Sequence, residues 1–104
     1  MMTQVAFKLD DDNRGVFYIG GEKENLAEME VSVSGNSLTV YHTEVSPEAE
    51  GKGLAKMLLS AMVDHARENH LKVKPLCSYV QVQFRRHAEE YADVWNPPQD
   101  FDPK

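Results

Sequence analysis

At 104 residues, 41% hydrophobic and 27% charged, the chain can build one packed core without disulfide or metal staples. Its 11 basic against 17 acidic residues give a net charge of −6, which argues against a nucleic-acid partner, since such a binder needs a basic face. No apolar run approaches the roughly 18 residues of a membrane span, and the first residues lack the basic-then-apolar pattern of a signal peptide. The single cysteine, Cys77, can form no internal disulfide. These features predict a cytoplasmic protein with no membrane partner. His42, His65, His70 and His87 do not stand at ligand spacing from Cys77, so no metal site is expected.

Residues 4–9 alternate, with Val5, Phe7 and Leu9 on one face, and predict a first strand. A polar turn follows, then a second strand over residues 14–19, stopped by Gly20 and Gly21. Residues 22–25 read as a polar loop. Residues 26–34 alternate again, with Ala27, Met29, Val31 and Val33 inward. Gly35-Asn36 is a two-residue hairpin signal, and residues 37–45 return as the fourth strand. Together these predict an antiparallel meander.

The period then changes. Leu54, Ala55, Leu58, Leu59, Met62 and Ala66 make one apolar face of a helix over about residues 51–69. Ser46 and Pro47 are candidates for its cap and first position. Residues 71–76 predict a fifth strand, paired parallel to the fourth through a right-handed crossover. Ser78-x-x-Gln81 reads as a capping box for a second helix to about Val94, with Val80, Phe84, His87, Ala88, Tyr91 and Trp95 as its stripe. Asn96-Pro97-Pro98 stops it, and residues 96–104 are expected to fray. The result is one domain over residues 1–104, with an ordered core of about 4–95. Its class is α+β, in the order ββββαβα, a mixed and mostly antiparallel sheet with two packed helices.

The junction between the fourth strand and the long helix is the first candidate for chemistry. A helix N-terminus leaves about four N–H groups without partners and carries about half a positive charge. Gly51 and Gly53 let a ligand approach the backbone there, and Lys52 and Lys56 add charge. The pattern suits a phosphate. It is neither the P-loop G-x-x-x-x-G-K-[ST] nor G-x-G-x-x-G, because Lys56 stands where the third glycine would be. The plain alternative is a helix start that tolerates glycine.

Cys77 precedes the second helix, where a thiol can be activated as a nucleophile. It can equally be a buried staple against Val82. His42 and Glu44, two apart, share a strand face with Leu38 and Val40 on simple alternation. They can be a general-base pair, or a polar pair at the end of a sheet. Arg85 and Arg86 could reach a phosphate or simply form a solvated face.

In combination, the run His42-Thr43-Glu44-Val45, the turn Glu50-Gly51-Lys52-Gly53-Leu54-Ala55 and the run Pro75-Leu76-Cys77-Ser78-Tyr79-Val80 resemble the small single-domain GNAT-like N-acetyltransferases, the YjdJ-like group. The resemblance runs from about residue 27 to 95. It implies a GNAT-like fold and an acetyl-CoA (coenzyme A) site. The implied pyrophosphate contacts are Glu50, Gly51, Lys52, Gly53, Leu54 and Ala55, beside Lys56. The implied pantetheine contacts lie near Thr43 and Val45, with the thioester towards Cys77. Cys77 is the nucleophile the resemblance suggests, and His42 with Glu44 the pair that takes a proton from the acceptor. Where the superfamily pattern has Gln or Arg, this chain has Glu48. The N-terminal helices that build the acceptor pocket in larger members have no counterpart.

The function expected is acetyl transfer from acetyl-CoA to an unknown amine, by a monomer or weak homodimer. The alternative is a CoA-binding or protein-interaction module with little catalysis.

Overall fold

A computed structural model describes residues 4–20 and 25–95. The chain runs β1 (Ala6–Leu9), β2 (Arg14–Gly20), β3 (Asn25–Ser34), β4 (Ser37–Val45), a 3₁₀ turn (Pro47–Ala49), α1 (Leu54–Glu68), β5 (Lys72–Pro75) and α2 (Ser78–Arg86). The sheet order is β1-β2-β3-β4-β5. The first four strands form the expected antiparallel meander, and β5 joins β4 in parallel. A parallel neighbour needs a crossover, and α1 supplies it. The polar loop after Gly20 falls largely outside the described residues, as does the segment after Trp95.

One face of the sheet carries the core. Phe17 and Ile19 of β2, Ala27, Met29 and Val31 of β3, Leu38 and Val40 of β4, and Val73 of β5 are buried. Their alternates are half-buried or exposed. α1 adds Leu58, Leu59, Met62, Val63 and Ala66, and α2 adds Val80 and Phe84, to the same cluster. Ala55 is only half-buried, and Leu9, expected beside Phe7, is 50% exposed. Gly15 is required by close approach: a Cβ there would meet the Phe7 ring at 2.8 Å and the Lys8 carbonyl at 2.9 Å.

The structure departs from simple alternation in β4. Val31 pairs with Val40 but Glu30 pairs with His42, so Tyr41 is an extra residue, a β-bulge. Met29 and Ala27 lie on the core face and pair with Thr43 and Val45, which therefore face the core. His42 and Glu44 are turned to the outer face, away from Leu38 and Val40, contrary to the expected shared face. Uninterrupted alternation would drive two ionisable groups under the helices, which is unfavourable without buried partners. Tyr41 stays outside, its Oη 2.8 Å from Ser32 Oγ and its ring 5.1 Å beneath the Arg14 guanidinium.

Both helices start and stop differently from the pattern. α1 begins at Leu54 with Gly53 as N-cap; Ser46 makes no side-chain cap and Pro47 opens the separate 3₁₀ turn. α2 has Cys77 itself as N-cap, and the expected capping box does not form, because Gln81 Nε2 donates to the Pro75 carbonyl at 3.0 Å. Val82 is exposed, so it is no staple for Cys77. α2 ends at Arg86, not near Val94, and His87 and Ala88 are exposed. Turns then bring Val94 and Trp95 to the free edge of β5. The Val73 N–H donates to the Val94 carbonyl at 2.6 Å, and Trp95 forms a parallel bridge with Val73. Satisfying that strand edge overrides helical periodicity.

Candidate active site

The site begins where β4 and β5 part. Their last paired residues are Val40 and Pro75. Just beyond, the N–H groups of Leu76 and Cys77 both donate to the Val40 carbonyl, at 2.9 and 3.1 Å. From Tyr41 onwards β4 pairs with β3 alone, since a bulged strand bends away from its straight course. The Ser46 N–H donates to the Leu26 carbonyl at 2.8 Å, so position 46 faces β3. Backbone groups alternate in direction along an antiparallel strand. Glu44 and His42 therefore face β3 as well, and Thr43 and Val45 present their N–H and C=O to the opening.

The glycine turn lies at the end of β4. Gly51 has φ +83° and Gly53 φ +74°, the left-handed region that L side chains rarely adopt. A Cβ at either would meet nothing within 4 Å, so conformation and not crowding calls for glycine. The Glu50 N–H turns back to the Pro47 carbonyl at 3.4 Å, and the Met57 N–H is the first in α1 to reach its carbonyl, Gly53, at 3.2 Å. Among the described residues, no backbone N–H from Gly51 to Lys56 meets a backbone acceptor. The first turn of α1 carries no acidic residue.

These residues open onto a cleft of about 350 Å³ lined by Val45, Ala49, Glu50, Gly51, Gly53, Leu54, Ala55, Lys56 and Tyr79. That is within the usual span of ligand pockets, about 300–1,000 Å³. A larger cleft of about 650 Å³ lies between Gln4 and Val5 and the outer side of α1, but it does not touch β4 or β5. Of the expected cofactor contacts, Lys52 is exposed and outside the cleft's lining, and Thr43 belongs to the β4–β5 opening. Glu48, in the 3₁₀ turn, is exposed and also outside the lining.

Cys77 is 8% exposed, and its Sγ donates to Thr43 Oγ1 at 3.4 Å. Tyr79, the second residue of α2, lines the cleft and interacts electrostatically with Cys77. Burial pushes its phenol above the ordinary value of 10.0, with smaller contributions from Tyr91 and Cys77, so its hydroxyl keeps its proton at neutral pH. Sequence reasoning passed over Tyr79; its position two residues after the N-cap, facing a glycine turn, is a three-dimensional relation. On the outer side, His42 Nε2 lies 3.4 Å from Glu44 Oε1, both side chains well exposed. The structure thus brings His42 and Glu44 together but places them on the opposite face of β4 from Thr43 and Cys77. The two groups flank the opening from either side.

This geometry has relatives. The family model for GCN5-related N-acetyl-transferases matches residues 14–94. The solution structure of a GCN5-like candidate N-acetyltransferase from Staphylococcus aureus is 37% identical, aligns over 95% of both chains and superposes with a TM-score of 0.67. The ribosomal-protein-S18-alanine N-acetyltransferase of Escherichia coli is 16% identical over 64% of this chain and 43% of its own, at a TM-score of 0.57. The ribosomal-protein-alanine N-acetyltransferase of Brucella melitensis biovar Abortus 2308 is 17% identical over 89% of this chain and 71% of its own, at 0.60. The last two show a shared fold. No curated protein sequence matches the chain significantly. The match over residues 14–94 and the 37% identity over nearly the whole chain agree with the ββββαβα order and the parted strands: this chain belongs to the GCN5-related N-acetyltransferase family and is an acetyltransferase.

Proposed function

We propose that the chain transfers an acetyl group from acetyl-CoA to an amine. The observation that carries this is the run of unpartnered backbone N–H groups from Gly51 to Lys56, opening onto a cleft at a helix N-terminus. Amides, helix dipole and the Lys56 ammonium together suit a pyrophosphate. Thr43 and Val45 would hold the amides of the pantetheine arm as an added strand would be held at a sheet edge. Acetyl-CoA supplies the acetyl group as an activated thioester.

The chain's own residues do the rest. His42 faces Glu44 through Nε2, which leaves Nδ1 to take a proton from the incoming ammonium. Tyr79 Oη, still protonated at neutral pH, can give a proton to the departing sulfur. Cys77 Sγ, on the core side of the opening, is the group that would take the acetyl first if transfer is covalent. Full steady-state turnover by Cys77→Ala would leave direct attack by the amine as the route.

Calorimetric titration of acetyl-CoA and CoA into wild type and Gly53→Trp tests the site. The new side chain enters open space, so the cost to the fold is about that of one left-handed L-residue, about 1–2 kcal/mol. A thermal melt of the variant checks that it stays folded. The expected outcome is binding to wild type and at least about tenfold weaker binding to the variant, from lost amide–phosphate bonds. Absence of binding to wild type at millimolar cofactor would overturn the proposal in favour of an interaction module.

A further inference from the structure

We infer that Thr43 is a positioning residue for the Cys77 thiol, brought opposite it by the bulge at Tyr41; this stands on the proposed use of Cys77 as a reacting group. If Tyr41 were an ordinary strand residue and not an extra one, alternation would put His42 on the core face of β4 and Thr43 outside. With it, Thr43 faces the N-terminus of α2, and the Cys77 thiol donates to its hydroxyl at 3.4 Å. Cys77 is held by the same strand on the near side of the bulge, through its N–H to the Val40 carbonyl at 3.1 Å. Backbone and side chain of Cys77 are thus tied to β4 on either side of Tyr41.

The polarity of that bond is reversible. A thiol donates to Thr43 Oγ1. Once the thiol loses its proton, the Thr43 hydroxyl can rotate and donate to the sulfur. The β-branched side chain restricts χ1, so the oxygen stays in place through the change. A donor to the charged form favours that form. Thr43 therefore fixes the direction in which the sulfur points, in the thiol and after the proton has left. Val40 and Val45, its core-face neighbours on β4, carry no charge, and from α2 the ionisable group interacting with Cys77 is Tyr79, neutral over the working range.

The test is the titration of the one cysteine in wild type, Thr43→Val and Thr43→Ser. It is read by ultraviolet thiolate absorbance, with Cys77→Ala as blank, and by the pH profile of iodoacetamide alkylation. Absorbance reports the thiolate whether or not the buried sulfur is open to reagent. Thr43→Val, close in shape, removes the partner of the sulfur and is expected to displace the profile, with alkylation about tenfold slower at neutral pH. Thr43→Ser should restore the wild-type profile. Coincident profiles for wild type and Thr43→Val would overturn the assignment. So would a Thr43→Ser profile displaced as far as that of Thr43→Val. These readouts need neither acetyl-CoA nor turnover, so they separate failure here from failure of the proposed activity.

Discussion

His70 is a histidine in a glycine's place. It has φ +56° just after α1, where the Leu71 N–H reaches the Ala66 carbonyl at 2.8 Å and the His70 N–H the Arg67 carbonyl at 3.4 Å. That is the Schellman arrangement, whose left-handed residue is usually glycine. An L-residue there costs about 1–2 kcal/mol, offset in part by the extra chain entropy glycine loses on folding, about 0.5–1 kcal/mol. His70→Gly is therefore expected to stabilise the protein by about 0.5–1 kcal/mol, seen as a raised urea midpoint at unchanged slope. At this scale the sequence was only partly legible. Gly51 and Gly53 marked by identity a place where a ligand can approach the backbone, and their left-handed φ is what the structure adds. Thr43 and Tyr79 did not announce their contacts, because those depend on which face of β4 each residue takes and on where α2 begins.

At the scale of elements, Arg67 joins α1 to the turns after α2. Its Nε donates to Asp93 Oδ2 at 2.9 Å, and its Nη2 donates to Asp93 Oδ1 at 3.2 Å and to the Glu90 carbonyl at 2.8 Å. Lys72 Nζ donates to the Asp93 carbonyl at 2.7 Å. The bond from Arg67 holds the Asp93 carboxyl below its ordinary value of 3.8. A carboxyl lowered on folding adds stability above its unfolded pKa and loses it as pH falls through the folded one. The advantage of wild type over Asp93→Asn should thus be present at neutral pH and vanish in strong acid, measured by urea unfolding at both. The pair is exposed, so added salt should weaken it. An unchanged difference in acid would mean that the pair is not what Asp93 contributes. Element types were legible because periodicity is local: the α1 stripe and the β3–β4 hairpin could be read from spacing alone. The end of α2 could not, since it is set by the unpaired edge of β5, which Val94 must reach.

For the molecule as a whole, the buried set lies on one side of the sheet, so stability should be correspondingly uneven. Leu58, fully buried in α1, is expected to cost about 2–5 kcal/mol on replacement by alanine, a large share of the about 5–15 kcal/mol typical of a domain. Leu9→Ala, at a position 50% exposed, should stay within about 0.5 kcal/mol. Thermal unfolding of the two variants compares them directly. The bulge in β4 carries a consequence in terms of chain length. Deleting Tyr41 leaves His42 opposite Glu30 and Val40 opposite Val31, with every other residue of β4 on its present face. The core needs nothing from the forty-first residue; the gap beside β5 does. A chain shortened by that one residue should fold with the same core and let β4 run on alongside β5, closing the place where an acyl donor would lie. Architecture and activity would then differ by a single codon, a separation that no substitution at the same position makes.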